Sequence, residues 1–128
     1  MENQLGIMSE AELEVMREIW EIGEPVTVAR MLDIFAPRRG WKISTLSTIM
    51  DRLIIKGYMT KTLKGKANIY SATVTEATYK ENETRSFLSS VHHGSVKSFI
   101  AALTGGVDMS PDEIAEIRSW FLTEAGDV

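Results

Sequence analysis

The apolar period of the chain changes near Gly57 and returns to helical spacing after Thr75, and the first change restricts the possible folds more than any other feature. Upstream, apolar residues recur every three or four positions, the spacing of helices that bury one face. Downstream, from Tyr58 to Thr75, two β-prone runs at about Met59–Leu63 and Asn68–Thr73 flank Lys64-Gly65-Lys66-Ala67, which reads as a hairpin with a basic tip. The helical stretch divides into three. Ser9-Glu10-Ala11-Glu12 is a capping box, in which the serine hydroxyl accepts from a backbone N–H and the glutamate reaches back. Leu13, Met16 and Trp20, with Ile19 beside them, then predict a first helix over about Glu10 to Ile22, which Gly23 ends and Pro25 cannot prolong. Thr27 caps a short second helix with Val28, Met31, Leu32 and Phe35 on one face, closed by Pro37 and Gly40.

The third segment has two unlike faces. Leu46, Ile49, Met50, Leu53 and Ile54 make an apolar stripe for a core, and Gly57 is the natural stop. The opposite face gathers Ser44, Thr45, Thr48, Asp51 and Arg52, mostly short polar side chains that let a helix axis approach a surface closely. Three helices followed by a two-stranded hairpin is the order of elements in a winged helix-turn-helix, with the hairpin as the wing. The expected fold is therefore mainly α with a small β-hairpin: a winged helix-turn-helix plus a C-terminal helical region.

That C-terminal region turns acidic. Glu76 to about Val91 reads as one helix, and its polar middle, Lys80 to Ser86, suits a bridge between two modules; Gly94 breaks it. Val96, Phe99, Ile100 and Leu103 form another stripe, followed by a break at Gly105-Gly106. Ser110-Pro111-Asp112-Glu113 is a second capping box, and Ile114, Ile117 and Phe121, flanked by Trp120, give the last helix its apolar face. These helices total roughly 40 residues, near the size below which a unit rarely stands alone without disulfides, metal or a partner chain. The simplest partner is the same region of a second copy about a two-fold axis. Phe87, Val96, Phe99, Ile100, Leu103, Ile114, Ile117, Trp120 and Phe121 are the dimerisation candidates. The chain is thus expected to divide into a winged-helix domain at 1–75 and a helical dimerisation region at 76–128.

Composition removes other classes. With 128 residues, 44% apolar and 25% charged, the chain is of ordinary globular make-up. No apolar run exceeds Phe99 to Leu103, well short of the roughly 18 residues that cross a bilayer, so no membrane insertion is expected. Met1-Glu2-Asn3-Gln4 lacks the basic start and apolar stretch of a signal peptide. The absence of cysteine excludes disulfides, thiolate metal sites and cysteine nucleophiles, and suits a cytoplasmic setting. His92-His93 is an adjacent pair whose rings diverge, better read as a helix end than as metal ligands. No glycine-rich phosphate loop, nucleophile elbow or zinc-protease motif occurs, so neither an enzyme nor a cofactor is expected.

The net charge of −4 hides an uneven distribution. Residues 38–66 hold Arg38, Arg39, Lys42, Arg52, Lys56, Lys61, Lys64 and Lys66 against the single acid Asp51, the balance a phosphate-facing surface needs; a solvated basic face is the bland alternative. With the third helix in a major groove, Ser44, Thr45 and Thr48 are the candidates for base readout, unless their polarity only serves the helix start. Arg38, Arg39, Lys42, Arg52, Lys61, Lys64 and Lys66 are candidates for the DNA backbone, where contacts fix register without reading sequence. Asp51 is discordant there unless it pairs with Arg52, Lys56 or a cytosine amino group. Trp41 either wedges the turn before the third helix or touches a sugar-phosphate.

Across nearly its whole length the chain resembles the penicillinase repressors (BlaI/MecI type) of bacterial transcription. The likeness rests on Ser9 to Met16 followed by Ile19-Trp20, on Trp41 with Thr45 and Thr48, and on Arg52-Leu53-Ile54-Ile55-Lys56-Gly57. It continues through Gly65 and Ile69-Tyr70 in the wing, Ser86-Phe87-Leu88 and Gly94. The resemblance implies a homodimer on a palindromic operator, repression of genes such as those for β-lactamases, and release by cleavage in the dimerisation region, triggered by a membrane-bound sensor protease. The family's cleaved Asn-Phe bond aligns with Ala102-Leu103, and neither residue matches. A copper-responsive branch with cysteine ligands is excluded by the lack of cysteine. The competing function is a winged-helix protein–protein module whose acidic C-terminal helices recruit a partner.

Overall fold

A computed structural model describes residues 5–106 and 108–123; Met1-Glu2-Asn3-Gln4, weighed above as a signal peptide, lies outside them. The element order is α1 (Glu10–Ile22), α2 (Val28–Arg39), α3 (Ile43–Ile55), β1 (Met59–Lys64), β2 (Ala67–Ala72), α4 (Glu76–His92), α5 (Val96–Gly106) and α6 (Pro111–Thr123). The chain divides into two compact units between Glu81 and Asn82. The division falls after the expected 75/76 boundary because Tyr79, in the first turns of α4, sets its ring 5.5 Å from Trp20 and 6.1 Å from Tyr58.

In the first unit the helices start and stop where their caps dictate. Ser9 Oγ accepts from the Glu12 N–H while Glu12 Oε1 accepts from the Ser9 N–H, the reciprocal box that begins α1. Thr27 Oγ1 caps α2 in the same sense. Pro37 does not end α2, contrary to the sequence expectation. It lies in an exposed last turn, where it removes one hydrogen bond, and the helix runs on to Arg39 before Gly40. The strands pair antiparallel from Met59↔Ala72 to Lys64↔Ala67, leaving a two-residue loop at Gly65-Lys66. Gly65 has φ 65° and is the loop position that needs it, as in a type II′ hairpin turn.

Val15, Met16, Ile19, Met31, Phe35, Leu46, Ile49, Met50 and Leu53 form the core with Tyr58, Met59 and Tyr70. Val26 joins them through a feature the periodicity does not announce. It pairs with Tyr70 as an isolated bridge, with mutual backbone hydrogen bonds of 2.9 and 2.8 Å, and so adds a third rung beside β2. Trp20 is half-buried at the rim rather than inside, its indole N–H donating to the Val74 carbonyl at 2.8 Å.

One polar fastener crosses this unit. Lys56, just after α3, donates from Nζ to Glu12 Oε1 at 2.6 Å and to the Ile7 carbonyl at 2.7 Å. Its own carbonyl accepts from Gly6 N–H at 3.1 Å, and Tyr58 OH donates to the Gly6 carbonyl at 2.9 Å. Lys56 thus binds the N-terminal segment, α1 and the end of α3 together. Burial alone raises the Glu12 carboxyl, yet hydrogen bonds from Lys56 and Ser9 and the lysine charge hold it below its ordinary 4.5. A carboxyl lowered on folding stabilises fully above its unfolded value and loses that contribution as pH falls through the folded one.

α4 starts in the first unit, and the described residues of the second are helical apart from short links. α4 begins on the cap Thr75, whose Oγ1 accepts from the Thr78 N–H, and turns off through His93 (φ 51°) and Gly94. Ser95 caps α5, and Ser110 with Glu113 forms the predicted box before α6. Gly105-Gly106 is no break: both belong to the last turn of α5, where the cost of glycine in a helix is smallest. Among the described residues no helix is long and apolar enough to cross a membrane.

Lys56→Met leaves the buried Glu12 carboxylate without its counter-charge and should cost on the order of 3 kcal/mol near neutrality. Urea unfolding followed by tryptophan fluorescence checks it. The gap between wild type and variant should narrow as pH drops below 4.5, the ordinary glutamate value.

Candidate nucleic-acid interface

The helix that carries the candidate readout residues is fixed by its other side. Leu46, Met50 and Leu53 are completely buried, so the face with Ser44, Thr45, Thr48, Asp51 and Arg52 is turned outward, and all five are exposed. Ser44 and Thr45 do not cap α3: the N-cap is Lys42, and it makes no side-chain cap. Thr48 Oγ1 donates to the Ser44 carbonyl at 2.9 Å, a bond that leaves the acceptor capacity of this exposed hydroxyl unused. Ahead of the helix, Trp41 stacks on Phe35 at 4.9 Å with a 15° interplanar angle, the wedge of the two roles the sequence allows it. An open notch of about 540 Å³ runs along this side, its lining including Ser9, Arg39, Trp41, Ser44, Thr45, Thr48 and Arg52.

The eight cations of the basic strip fall into two groups. Arg38 bridges to Glu18 at 2.8 Å and to Glu14 at 3.6 Å, and Arg39 pairs with Glu14 at 3.4 Å while lying 5.4 Å from the Trp41 ring. The hydrogen bond to Glu18 raises the Arg38 pKa further, with no consequence for a charge already permanent. Lys56 is spent on the fastener. Lys61 Nζ lies 3.7 Å from Asp51 Oδ1 and 5.9 Å from the Tyr70 ring centroid. Asp51 therefore pairs with a residue of β1, outside its own helix, rather than with Arg52 or Lys56. Lys42, Arg52, Lys64 and Lys66 have no ion-pair partner among the described residues, and all four are exposed. Two of them flank the hydroxyl face and two stand at the wing tip.

In the second unit, apolar side chains stand in water. Phe87, Val96, Ile114, Ile117, Trp120 and Phe121 are exposed, Phe99, Ile100 and Leu103 are half-buried, and neither α4 nor α6 has a buried residue. Phe87, His92 and Phe99 form an edge-to-face cluster at 5.5–6.2 Å, with His92 Nδ1 2.8 Å from Ser98 Oγ. Ala102-Leu103 sits within α5 in helical conformation, Ala102 exposed and Leu103 half-buried.

Three helices, a cross-bridged hairpin and an outward polar face on the third helix define a winged helix-turn-helix protein. The model of the penicillinase repressor family matches residues 8–122, and the chain belongs to that family. The family is one of transcriptional repressors, so the chain is not an enzyme. The methicillin resistance regulatory protein MecI of Mammaliicoccus sciuri is 29% identical over 119 residues, covering 93% of this chain and 96% of that protein. The penicillinase repressor of Bacillus licheniformis is 28% identical over 110 residues, 86% of this chain and 85% of its own length. Among solved structures, the DNA-binding domain of the repressor BlaI superposes with a TM-score of 0.52 at 29% identity, over 62% of this chain and 94% of that domain. The Bacillus licheniformis BlaI monomeric form in complex with the blaP half-operator gives 0.51 at 28% identity, over 59% and 90%.

Proposed function

We propose that the chain is a homodimeric, sequence-specific DNA-binding repressor that lays α3 in the major groove of a palindromic operator and flanks it with the wing. The observation that carries this reading is the outward face of α3, with three exposed hydroxyl side chains beside cations that no carboxylate holds. Hydroxyls offer modest discrimination per base, so a single half-site is read weakly, and two units on a palindrome multiply the readings. The BlaI structure with a half-operator supports one such unit per half-site. Lys42, Arg52, Lys64 and Lys66 meet phosphates, while Arg38, Arg39 and Lys61 reach DNA only by giving up the partners they hold. The genes controlled would be of the class its relatives regulate, for β-lactam resistance or related functions, and a repressor of this kind would act in the cytoplasm.

Dimerisation falls to the second unit. Its exposed Phe87, Val96, Ile114, Ile117, Trp120 and Phe121 represent apolar area that a monomer leaves in water, and a second copy buries it at roughly 25 cal/mol per Å². Release follows from the same layout. Scission at Ala102-Leu103 would part the Val96, Phe99 and Ile100 stripe from α6 and divide the dimer surface, leaving the winged helix intact. A sensor protease acting there must first unwind part of α5, because the bond lies in a helix.

On an operator duplex, log affinity should fall linearly with log salt, by about 0.9 per phosphate contacted. Arg52→Ala should shallow that slope by about one, whereas Arg38→Ala, whose guanidinium is engaged by two carboxylates, should leave it nearly unchanged; a flat wild-type response favours the protein–protein module instead. Ile117→Glu should convert the dimer to a monomer in sedimentation velocity and weaken palindrome binding while half-site binding persists. Replacing 101–104 with a site-specific protease sequence and cutting it should reproduce the same monomer and the same loss.

A further inference from the structure

Asp51 is the single acid between Arg38 and Lys66, and it stands on the outward face of α3 in line with Ser44 and Thr48, at helical spacings of four and three. A carboxylate at that place is repelled by every phosphate it approaches. Its neighbour across the fold is Lys61, 3.7 Å away on β1, opposite the buried Tyr70 whose backbone is held to Val26. The pair is exposed on both sides, with side chains 40% and 55% accessible, so it contributes little to the stability of the unit. Its place is nonetheless specific: it joins the helix that faces the groove to the stem of the wing.

Resting on the DNA-binding reading above, we propose that Asp51 and Lys61 form a base-gated exchange of partners, with Asp51 as a specificity-determining residue. In the free protein each neutralises the other. In a major groove a carboxylate can only accept, and its best base partner is the exocyclic amino group of cytosine, because adenine sets the acceptor N7 beside its own amino group. Opposite cytosine, Asp51 turns to the N4 amino group and releases Lys61, whose ammonium then pairs with a backbone phosphate: one exposed ion pair is exchanged for a base contact and a phosphate contact. Opposite guanine O6 or thymine O4, which are acceptors, Asp51 keeps Lys61 and neither new contact forms. Discrimination arises as much from the penalty on wrong bases as from attraction to the right one. The salt dependence of binding therefore differs between sequences, because Lys61 displaces a counterion on the favoured duplex alone.

The test is selection from a pool of duplexes randomised over about two helical turns, with the full-length chain, followed by binding at several salt concentrations to the selected duplex and to versions changed at one position. For the wild type, one position per half-site should be enriched in cytosine, with roughly tenfold loss when it is changed and a salt slope shallower by about one on the changed duplex. Asp51→Asn should move the preference at that position from cytosine to adenine, the base whose amino and N7 groups an amide matches. Asp51→Ala should abolish the preference and tighten binding to the changed duplexes. Lys61→Met should lower affinity and slope on the favoured duplex only. If Asp51→Asn leaves the base preference unmoved, or Lys61→Met weakens all duplexes equally, the exchange does not occur. A wild type that binds no duplex in a salt-dependent way would instead overturn the DNA-binding reading itself.

Discussion

The burial of one side of α3 is the constraint on which the remainder of the molecule turns. Leu46, Met50 and Leu53 are sealed against α1, α2 and β1, and a helix fixed along one stripe has no freedom in what it presents on the other. Each of these side chains stabilises by about 1.5–3 kcal/mol when fully buried. Rotating the helix by one residue to expose a different polar set would forfeit several of them together. The outward order Ser44, Thr45, Thr48, Asp51, Arg52 is thus held by the hydrophobic effect, although none of its members contributes to the core. Lys56 finishes the work at the C-terminal end, tying that end to α1 through a carboxyl whose pKa burial alone would raise.

Helix positions and the hairpin were legible because each has a local cause. The Ser9 box, the Thr27 cap, the Ser110 box and the Gly65 turn act within four residues, and structure and sequence agree at each. What escaped the sequence acts over longer separations. The Val26–Tyr70 bridge is a one-residue strand with no period to detect. The Asp51–Lys61 contact spans a strand start, while the candidates considered for Asp51 were its helical neighbours Arg52 and Lys56 and a cytosine. Pro37 and Gly105-Gly106 were read as stops on propensity, yet each lies in a final helical turn: the glycines cost little there, and Pro37 forfeits one backbone hydrogen bond while the helix runs two residues beyond it. The shift of the unit boundary past 75 has the same origin, since the ring contacts of Tyr79 with Trp20 and Tyr58 join positions far apart in the chain.

Counting positive residues overstates the charge available to a polyanion. Half of the eight cations in the strip are already occupied: Arg38 and Arg39 hold α1 to α2 through Glu14 and Glu18, Lys56 holds Glu12, and Lys61 faces Asp51. Carboxylates that serve the fold have, in effect, selected which cations remain for a ligand. Those that remain are spread between the start and last turn of α3 and the tip of the wing, which suits a curved, extended anion better than a compact one. A small phosphate compound would gain little from charges so dispersed.

The two units also differ in what completes them. The first closes its own core, with thirteen apolar side chains and the Glu12 carboxylate withdrawn from water. The second buries none of the residues of α4 or α6, and its aromatic cluster leaves Phe87 about half exposed. A helical unit of this size with so little interior has a small margin against the entropy of its own chain, and an apolar partner surface supplies what is missing. If a second copy supplies that surface, as proposed, folding of the second unit and pairing become one equilibrium, in which protein concentration sets stability. On the proposed dimer, disturbing the weaker unit would remove the coupling between half-sites without touching the outward face of α3, and weak individual readings would do the rest.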